Sequence, residues 1–275
     1  MTDTLTAADG TLLSLYEWRV PDPKLTVAIV HGYAEHARRY LHVAKAFNEQ
    51  GISVVTMDLR GHGRSQGARG HVDRFEDYHQ DVDVLLAKAD EGRPLFMLGH
   101  SMGGLLTAHY LLSGKGQQVR GAILSSPYLG LALDVGGLKL GAARLFSKLV
   151  PKLSLPSELT SEDLTRDPEM VKVHAADDLN FPTANARWFT ESSAAMEMVH
   201  NNASQLSKPL MLLYGGSDKV ASADATDRFA AQLTVADREV ERLAGFYHEI
   251  LNEPPADRQA LMQRMAAWLL AHAEA

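Results

Sequence analysis

A chain of 275 residues with 45% hydrophobic and 22% charged side chains is long enough for one large globular domain, or for one domain carrying an insertion. A net charge of −7 argues against a general nucleic-acid binder, which needs basic surface. The absence of cysteine excludes disulfides, thiolate catalysis and cysteine metal sites.

Residues 1–10 show neither the basic region nor the apolar region of a signal peptide. No run reaches the roughly 18 consecutive apolar residues of a membrane span. The expectation is a cytoplasmic chain, peripheral at membranes at most.

In chain order, Asp9-Gly10 marks a tight turn between two short β-like pieces, which predicts an opening hairpin. Residues 25–30 form a continuous apolar run, the pattern of a strand covered on both faces. Helical spacing follows over residues 39–50, through Tyr40, Val43, Ala44 and Phe47. A second buried strand is predicted at 52–57. The Gly-rich loop Asp58-Leu59-Arg60-Gly61-His62-Gly63-Arg64-Ser65 lacks the third glycine and the helix of a dinucleotide fingerprint. Ser113-Gly114-Lys115-Gly116 likewise lacks the parts of a phosphate loop. Both read as plain turns. An amphipathic helix is predicted over 75–89.

Residues 95–98 form the next apolar strand, and Gly99-His100-Ser101-Met102-Gly103 follows it directly. This is G-x-S-x-G between a strand and a helix, the setting in which a sharp turn lifts a serine clear of the sheet. The helix over 102–112 also directs free N–H groups at incoming negative charge. His109, inside it, reads as a packed helix residue. A further strand over 121–124 ends at Ser125-Ser126-Pro127.

The strand–helix alternation then stops until residue 209, which predicts an insertion over 128–206. Its stretch 135–157 carries Lys139, Arg144, Lys148 and Lys152 without an acidic residue, beside Leu138, Leu145, Phe146, Leu149 and Val150. Two readings stay open: a basic amphipathic helix lying on an anionic membrane, or a cover over the site with solvated lysines. Residues 158–178 are acidic, with Pro168 as a break. Trp188, Phe189, Met196 and Met198 supply soft apolar surface, for a pocket or for the insertion's own core. Alternation resumes with a strand over 209–214, a helix over 223–233, a strand over 238–243 and a closing helix over 257–271.

Ser101, Asp218 and His248 all fall just past the ends of predicted strands, where ligands of open α/β sheets bind. Their order, Ser…Asp…His, is that of the α/β-hydrolases. His248 is expected to take the Ser101 proton, and Asp218 to hold the imidazole. The N–H groups of Met102 and Tyr33 are the expected oxyanion donors. Asp224 and Asp227 compete with Asp218 but lie inside a helical pattern. His31 and His36 invite a metal, yet nothing completes a ligand set at familiar spacing, and His248-Glu249 lacks the second histidine of H-E-x-x-H. No metal is expected.

The sequence resembles the monoacylglycerol lipase/lysophospholipase branch of the serine α/β-hydrolases. The likeness rests on His31-Gly32-Tyr33-Ala34-Glu35-His36 with Arg39-Tyr40, on the Asp58 to Ser65 loop, and on Gly99-His100-Ser101-Met102-Gly103-Gly104. Ser125-Ser126-Pro127, Gly215-Gly216-Ser217-Asp218, Tyr247-His248 and a lid-like Val150-Pro151-Lys152-Leu153-Ser154-Leu155 continue it over nearly the whole chain. The resemblance implies an α/β-hydrolase fold, with a mostly parallel central sheet flanked by helices. The core would span 1–127 and 207–275, with a helical lid at 128–206. It implies cofactor-free hydrolysis of a carboxylic ester with a single acyl chain. Gly32, Glu35, Arg39 and His100 become the expected substrate-binding residues, with Glu35 and Arg39 near the alcohol or bracing their loop. Two departures stand out: Ala34 replaces a common glycine, and Leu251 stands where glycerol-handling members carry a second histidine. An amidase or aminopeptidase, a thioesterase and a hydrolase-fold ligand sensor stay open. Epoxide hydrolase and dehalogenase chemistry is disfavoured, since it uses an aspartate where this chain has Ser101.

Overall fold

The computed structural model describes residues 3–132, 137–157 and 159–274. The opening hairpin is formed by β1 (Asp3–Thr6) and β2 (Leu12–Trp18), paired antiparallel. Then come β3 (Leu25–Val30), α1 (Leu41–Asn48), β4 (Ile52–Met57), α2 (Asp77–Ala89), β5 (Leu95–His100), α3 (Met102–Leu112) and β6 (Val119–Ser125). The helical spacing from Arg39 is split in two, because a 3-10 turn at Ala37–Tyr40 precedes α1. After the insertion the chain closes with β9 (Leu210–Gly215), α7 (Ala223–Gln232), β10 (Arg238–Leu243) and α8 (Pro255–Ala273).

The eight core strands form one sheet in the order β1-β2-β4-β3-β5-β6-β9-β10. From β4 to β10 every pair is parallel; the hairpin strands join antiparallel at one edge. All six residues of each of β3, β4, β5 and β9 are buried, as the unbroken apolar runs require of strands covered on both faces. Alternate side chains feed opposite layers. Val27, Ile29, Phe96 and Leu98 pack against α1 and α8 through Phe47, Met265 and Leu269. Ala28, Val30, Met97 and Leu124 pack against α2, α3 and α7 through Tyr78, Leu105 and Phe229. Helices on both faces of a mostly parallel sheet are the α/β-hydrolase architecture, which places every parallel strand's C-terminal end along one edge.

Between β6 and β9 lie α4 (Gly137–Leu149), β7 (Ser154–Pro156), α5 (Pro168–Ala175), β8 (Thr183–Asn185) and α6 (Ala186–Asn202). Strands β7 and β8 pair antiparallel in a small second sheet. Pro168 does not simply break the chain. It opens α5 at the first helical position, behind Asp167, whose side chain accepts from the Glu169 N–H at 3.0 Å. A proline there forfeits no helical hydrogen bond, and the aspartate caps a free N–H.

Residue 135, where the basic stretch begins, and the side chains of Leu138 and Lys139 lie outside the described residues. Within the described part, the apolar stripe does not close over the site. Leu145, Leu149 and Val150 are 55%, 69% and 50% exposed, beside the exposed Arg144 and Lys148. Among the described residues, no helix is long and apolar enough to cross a membrane.

Candidate active site

The turn between β5 and α3 consists of Ser101 alone. Its φ of 52° and ψ of −118° are a strained conformation for a residue with a side chain. The strain is held in place by packing on both sides of the elbow. A Cβ on Gly103 would meet the Val30 carbonyl oxygen at 2.0 Å, so only glycine lets α3 start this close to β3.

Asp218 follows β9 and His248 follows β10, and the two loops converge on Ser101. The His248 Nδ1–H donates to Asp218 Oδ2 at 2.7 Å, which leaves Nε2 to accept from the Ser101 hydroxyl at 2.9 Å. The other Asp218 oxygen accepts from the N–H groups of Val220 and Ala221, at 2.8 and 2.9 Å, so the carboxylate is fixed from both sides. Burial lowers the affinity of His248 for a proton, but the Asp218 carboxylate more than offsets it. The imidazole therefore titrates above its ordinary range. Asp224 and Asp227 instead pair with Arg242 at the exposed start of α7. His109 is buried in α3 and shares a hydrogen bond with His79. His31 is used within the core: its Nε2 accepts from the Leu59 N–H, and its Nδ1 donates to the Gly32 carbonyl. Among the described residues, no group of three potential ligands could hold a metal.

Tyr33 and Met102 line the cavity together with Ser101, and their N–H groups find no acceptor among the described residues. The Tyr33 side chain explains how its loop stays in place. The phenol donates to the Gly70 carbonyl and accepts from the Asn185 N–H, both at 3.0 Å. Its ring stacks on Trp188 of α6, with centroids 3.6 Å apart. Trp188 in turn donates to Met102 Sδ at 3.1 Å. The insertion is thus keyed to both N–H-bearing residues.

Gly32, Glu35 and Arg39 are used mainly as a brace. The Gly32 N–H donates to Glu35 Oε1 at 2.5 Å, and the Tyr40 hydroxyl donates to the same oxygen at 2.7 Å. Arg39 Nη1 binds Glu35 Oε2 at 2.7 Å and Glu249 Oε1 at 2.6 Å, while Nη2 binds Glu249 Oε2 at 2.8 Å. All three side chains are about 6% exposed. Burial pushes Glu35 up, but the guanidinium dominates and holds both carboxyls well below the usual range. The chain's reading from its residues alone missed Glu249. Its position beside His248 was the one available signal, since its partner lies 210 residues away. His100 donates from Nδ1 to the Ser125 carbonyl at 3.1 Å, with its ring beside that of His248. Burial pulls it down to about 4, so it is uncharged at neutral pH.

Ser101 and His248 open into a cavity of about 740 Å³ beneath the insertion. Its apolar lining includes Tyr128, Leu131, Leu159, Trp188, Phe189 and Val220. Its polar lining includes His174, Asp177 and the Arg39 guanidinium with its two carboxylate partners, Glu35 and Glu249. His174 and Asp177 come from the insertion and gave no motif in the sequence. Asp177 accepts from His36 Nε2 at 2.8 Å, a further tie between insertion and core.

This fold, with a Ser–His–Asp line at the strand ends under an inserted cap, defines an α/β-hydrolase. Residues 21–255 match the family model described as serine aminopeptidase, S33, and the chain belongs to that family. It is similar to phospholipase YtpA of Bacillus subtilis, 31% identical over 87% of this chain and 93% of the relative. It is also similar to a monoacylglycerol lipase of Mycolicibacterium smegmatis, 30% identical over 97% of this chain and 96% of the relative. An abhydrolase domain-containing protein of Dictyostelium discoideum is 33% identical over 254 residues, but the chain spans only 27% of that longer protein. The crystal structure of a monoacylglycerol lipase from Paleococcus ferrophilus superposes with a TM-score of 0.87 at 28% identity, covering 94% of this chain and 99% of that one. Fold, family and relatives make this chain a hydrolase of the lipase and esterase class.

Proposed function

We propose that the chain hydrolyses carboxylic esters of a single acyl chain, monoacylglycerols foremost, through an acyl-enzyme on Ser101. The observation that carries this is the Ser101–His248–Asp218 line opening onto a cavity whose lining offers apolar side chains for an acyl chain and polar ones for an alcohol. The likeness to monoacylglycerol lipases of Mycolicibacterium smegmatis and Paleococcus ferrophilus supports glycerol as the alcohol.

In this reading the Ser101 oxygen attacks the ester carbonyl while its proton passes to His248 Nε2. The carbonyl oxygen becomes an oxyanion between the N–H groups of Tyr33 and Met102, at the positive end of α3. The tetrahedral species collapses, and His248 returns the proton to the departing alcohol. A water molecule, deprotonated by the same imidazole, then releases the fatty acid and restores Ser101.

His248 must be neutral to act, so kcat/KM falls as pH drops through its pKa. Asp218 raises that pKa, so the acid limb should centre above about 6.5, the ordinary imidazole value. In Asp218→Asn the limb should move to lower pH, together with a large loss of rate. A limb that stays put, or a wild-type rate that is flat down to pH 4, contradicts the assignment.

Chain length is read with p-nitrophenyl esters of two to sixteen carbons beside a monoacylglycerol and a lysophospholipid. A cavity of this size and lining predicts preference for medium or long chains. Activity confined to acetate and butyrate overturns the single-long-chain reading. Cleavage of aminoacyl anilides without ester turnover would replace it with an aminopeptidase. The exposed Leu145, Leu149 and Val150 beside Arg144 and Lys148 support docking of the insertion on a lipid surface. Leu149→Glu should then lose rate on emulsified monoacylglycerol but not on monomeric p-nitrophenyl ester; equal loss on both counts against docking.

A further inference from the structure

The polar lining of the cavity bears on the charge of the alcohol. His248 must hand a proton to the leaving oxygen, so the alcohol lies on the His248 side of Ser101. Glu249 is the next residue in the chain and bonds Arg39, which Glu35 also bonds, while His174, Asp177 and the exposed Glu162 line the same cavity. Four carboxylates, those of Glu35, Glu162, Asp177 and Glu249, thus stand against Arg39, the one permanent cation lining the cavity among the described residues.

Arg39 is about 6% exposed, and its charge is already met by two carboxylates. Its Nη1 serves both Glu35 and Glu249, and its Nη2 serves Glu249, so the forked face that would clasp a phosphate already holds a carboxylate. Asp177 accepts from the Leu179 N–H and from His36, and among the described residues no permanent cation pairs with it. His174 uses Nδ1 on the Ser161 hydroxyl at 2.9 Å. Burial holds that imidazole below its ordinary range, so its free nitrogen meets a substrate as a neutral hydrogen-bonding group. Such a group suits a hydroxyl. A phosphate brought here would sit within a screening length of several carboxylates with no cation left to meet it.

We propose that this site accepts uncharged or cationic alcohol leaving groups and rejects phosphate-bearing ones, with Glu249 setting the discrimination by occupying Arg39. The inference rests on the ester-hydrolase reading and narrows its substrate class to glycerol-like or amino-alcohol esters, against anionic lysophospholipids.

The test uses the full chain and three hexanoyl esters dilute enough to stay monomeric: those of glycerol, glycerol 3-phosphate and choline. The expected kcat/KM values for the glycerol and choline esters agree within about tenfold, and the phosphate ester is lower by about a hundredfold or more. Glu249→Gln removes one negative charge and loosens the hold on Arg39, so the phosphate-to-glycerol ratio should rise at least about tenfold. The ratio is the readout because Glu249 adjoins His248 and absolute rates will move. Glu162→Lys, an exposed change on the 3-10 turn Ser161–Asp163, should raise the same ratio with the fold intact, and carries the test if Glu249→Gln fails to fold. Cleavage of the phosphate ester within tenfold of the glycerol ester overturns the inference while leaving the ester reading standing. A ratio unmoved in every variant that folds also overturns it. Absence of turnover on all three esters overturns the ester reading and the inference with it.

Discussion

Replacing Ser101 with alanine should lower kcat by about 10⁴-fold or more while leaving the chain folded. The loss corresponds to roughly 5.5 kcal/mol of transition-state stabilisation. It is large because, in the proposed mechanism, the hydroxyl is one member of a unit: without it, His248 and Asp218 would have no nucleophile to activate, and only binding and the N–H groups would remain. The fold should survive because the Ser101 side chain is held by the single bond to His248. The backbone sharpens the experiment. Ser101 is strained at φ 52°, and alanine keeps the Cβ that causes the strain. Glycine removes it, so Ser101→Gly should be as inactive as the alanine variant yet more stable, by about 1–3 kcal/mol. Thermal or urea unfolding of the three proteins reads the difference. An active alanine variant contradicts the nucleophile, and a glycine variant less stable than alanine contradicts stored strain.

The second large effect is structural. Arg39→Met should destabilise the chain by about 3–5 kcal/mol, since it leaves Glu35 and Glu249 buried without their counter-charge. Because Glu249 adjoins His248 and Glu35 holds the Gly32 N–H, the surviving folded protein should also lose activity. The pH dependence separates this from simple loss of packing. Both carboxyls titrate below their unfolded value of about 4.3 in the native chain, Glu35 down to about 2. Their contribution is therefore fully present above the unfolded value and disappears as pH falls through the folded one. The stability gap between native and Arg39→Met chains should therefore shrink as pH falls from about 4.3 towards about 2. A gap that stays constant would assign the loss to packing. Adding Glu35→Gln and Glu249→Gln to Arg39→Met should recover part of the stability at neutral pH, because neutral amides cost less to bury than unpaired carboxylates.

What could be read from the residues was what local pattern encodes. The buried runs of β3, β4 and β5 are apolar at every step or nearly so, and Gly99 to Gly103 carries its own strand-to-helix context. Asp218 and His248 were legible because both close a strand. The brace was not, since Arg39 and Glu249 meet across 210 residues and neither has a helical or strand periodicity to announce the contact. The insertion was least legible. Strands β7 and β8 are three residues each and exist through pairing with one another, which no local propensity specifies. The start of α5 was written in Asp167-Pro168, a cap followed by a first-turn proline, but a proline amid acidic residues also reads as a break. Tyr33 was expected for its N–H alone. Its ring and hydroxyl join core and insertion, contacts that only the assembled structure brings together.

The most direct test of the account is covalent labelling with a long-chain alkyl fluorophosphonate, followed by mass mapping of the adduct and parallel assay of monoacylglycerol hydrolysis. One adduct per chain is expected, on Ser101, with hydrolysis lost in proportion to labelling and no adduct in Ser101→Ala. Complete inactivation with the label elsewhere, or full hydrolysis by chains labelled at Ser101, would contradict it.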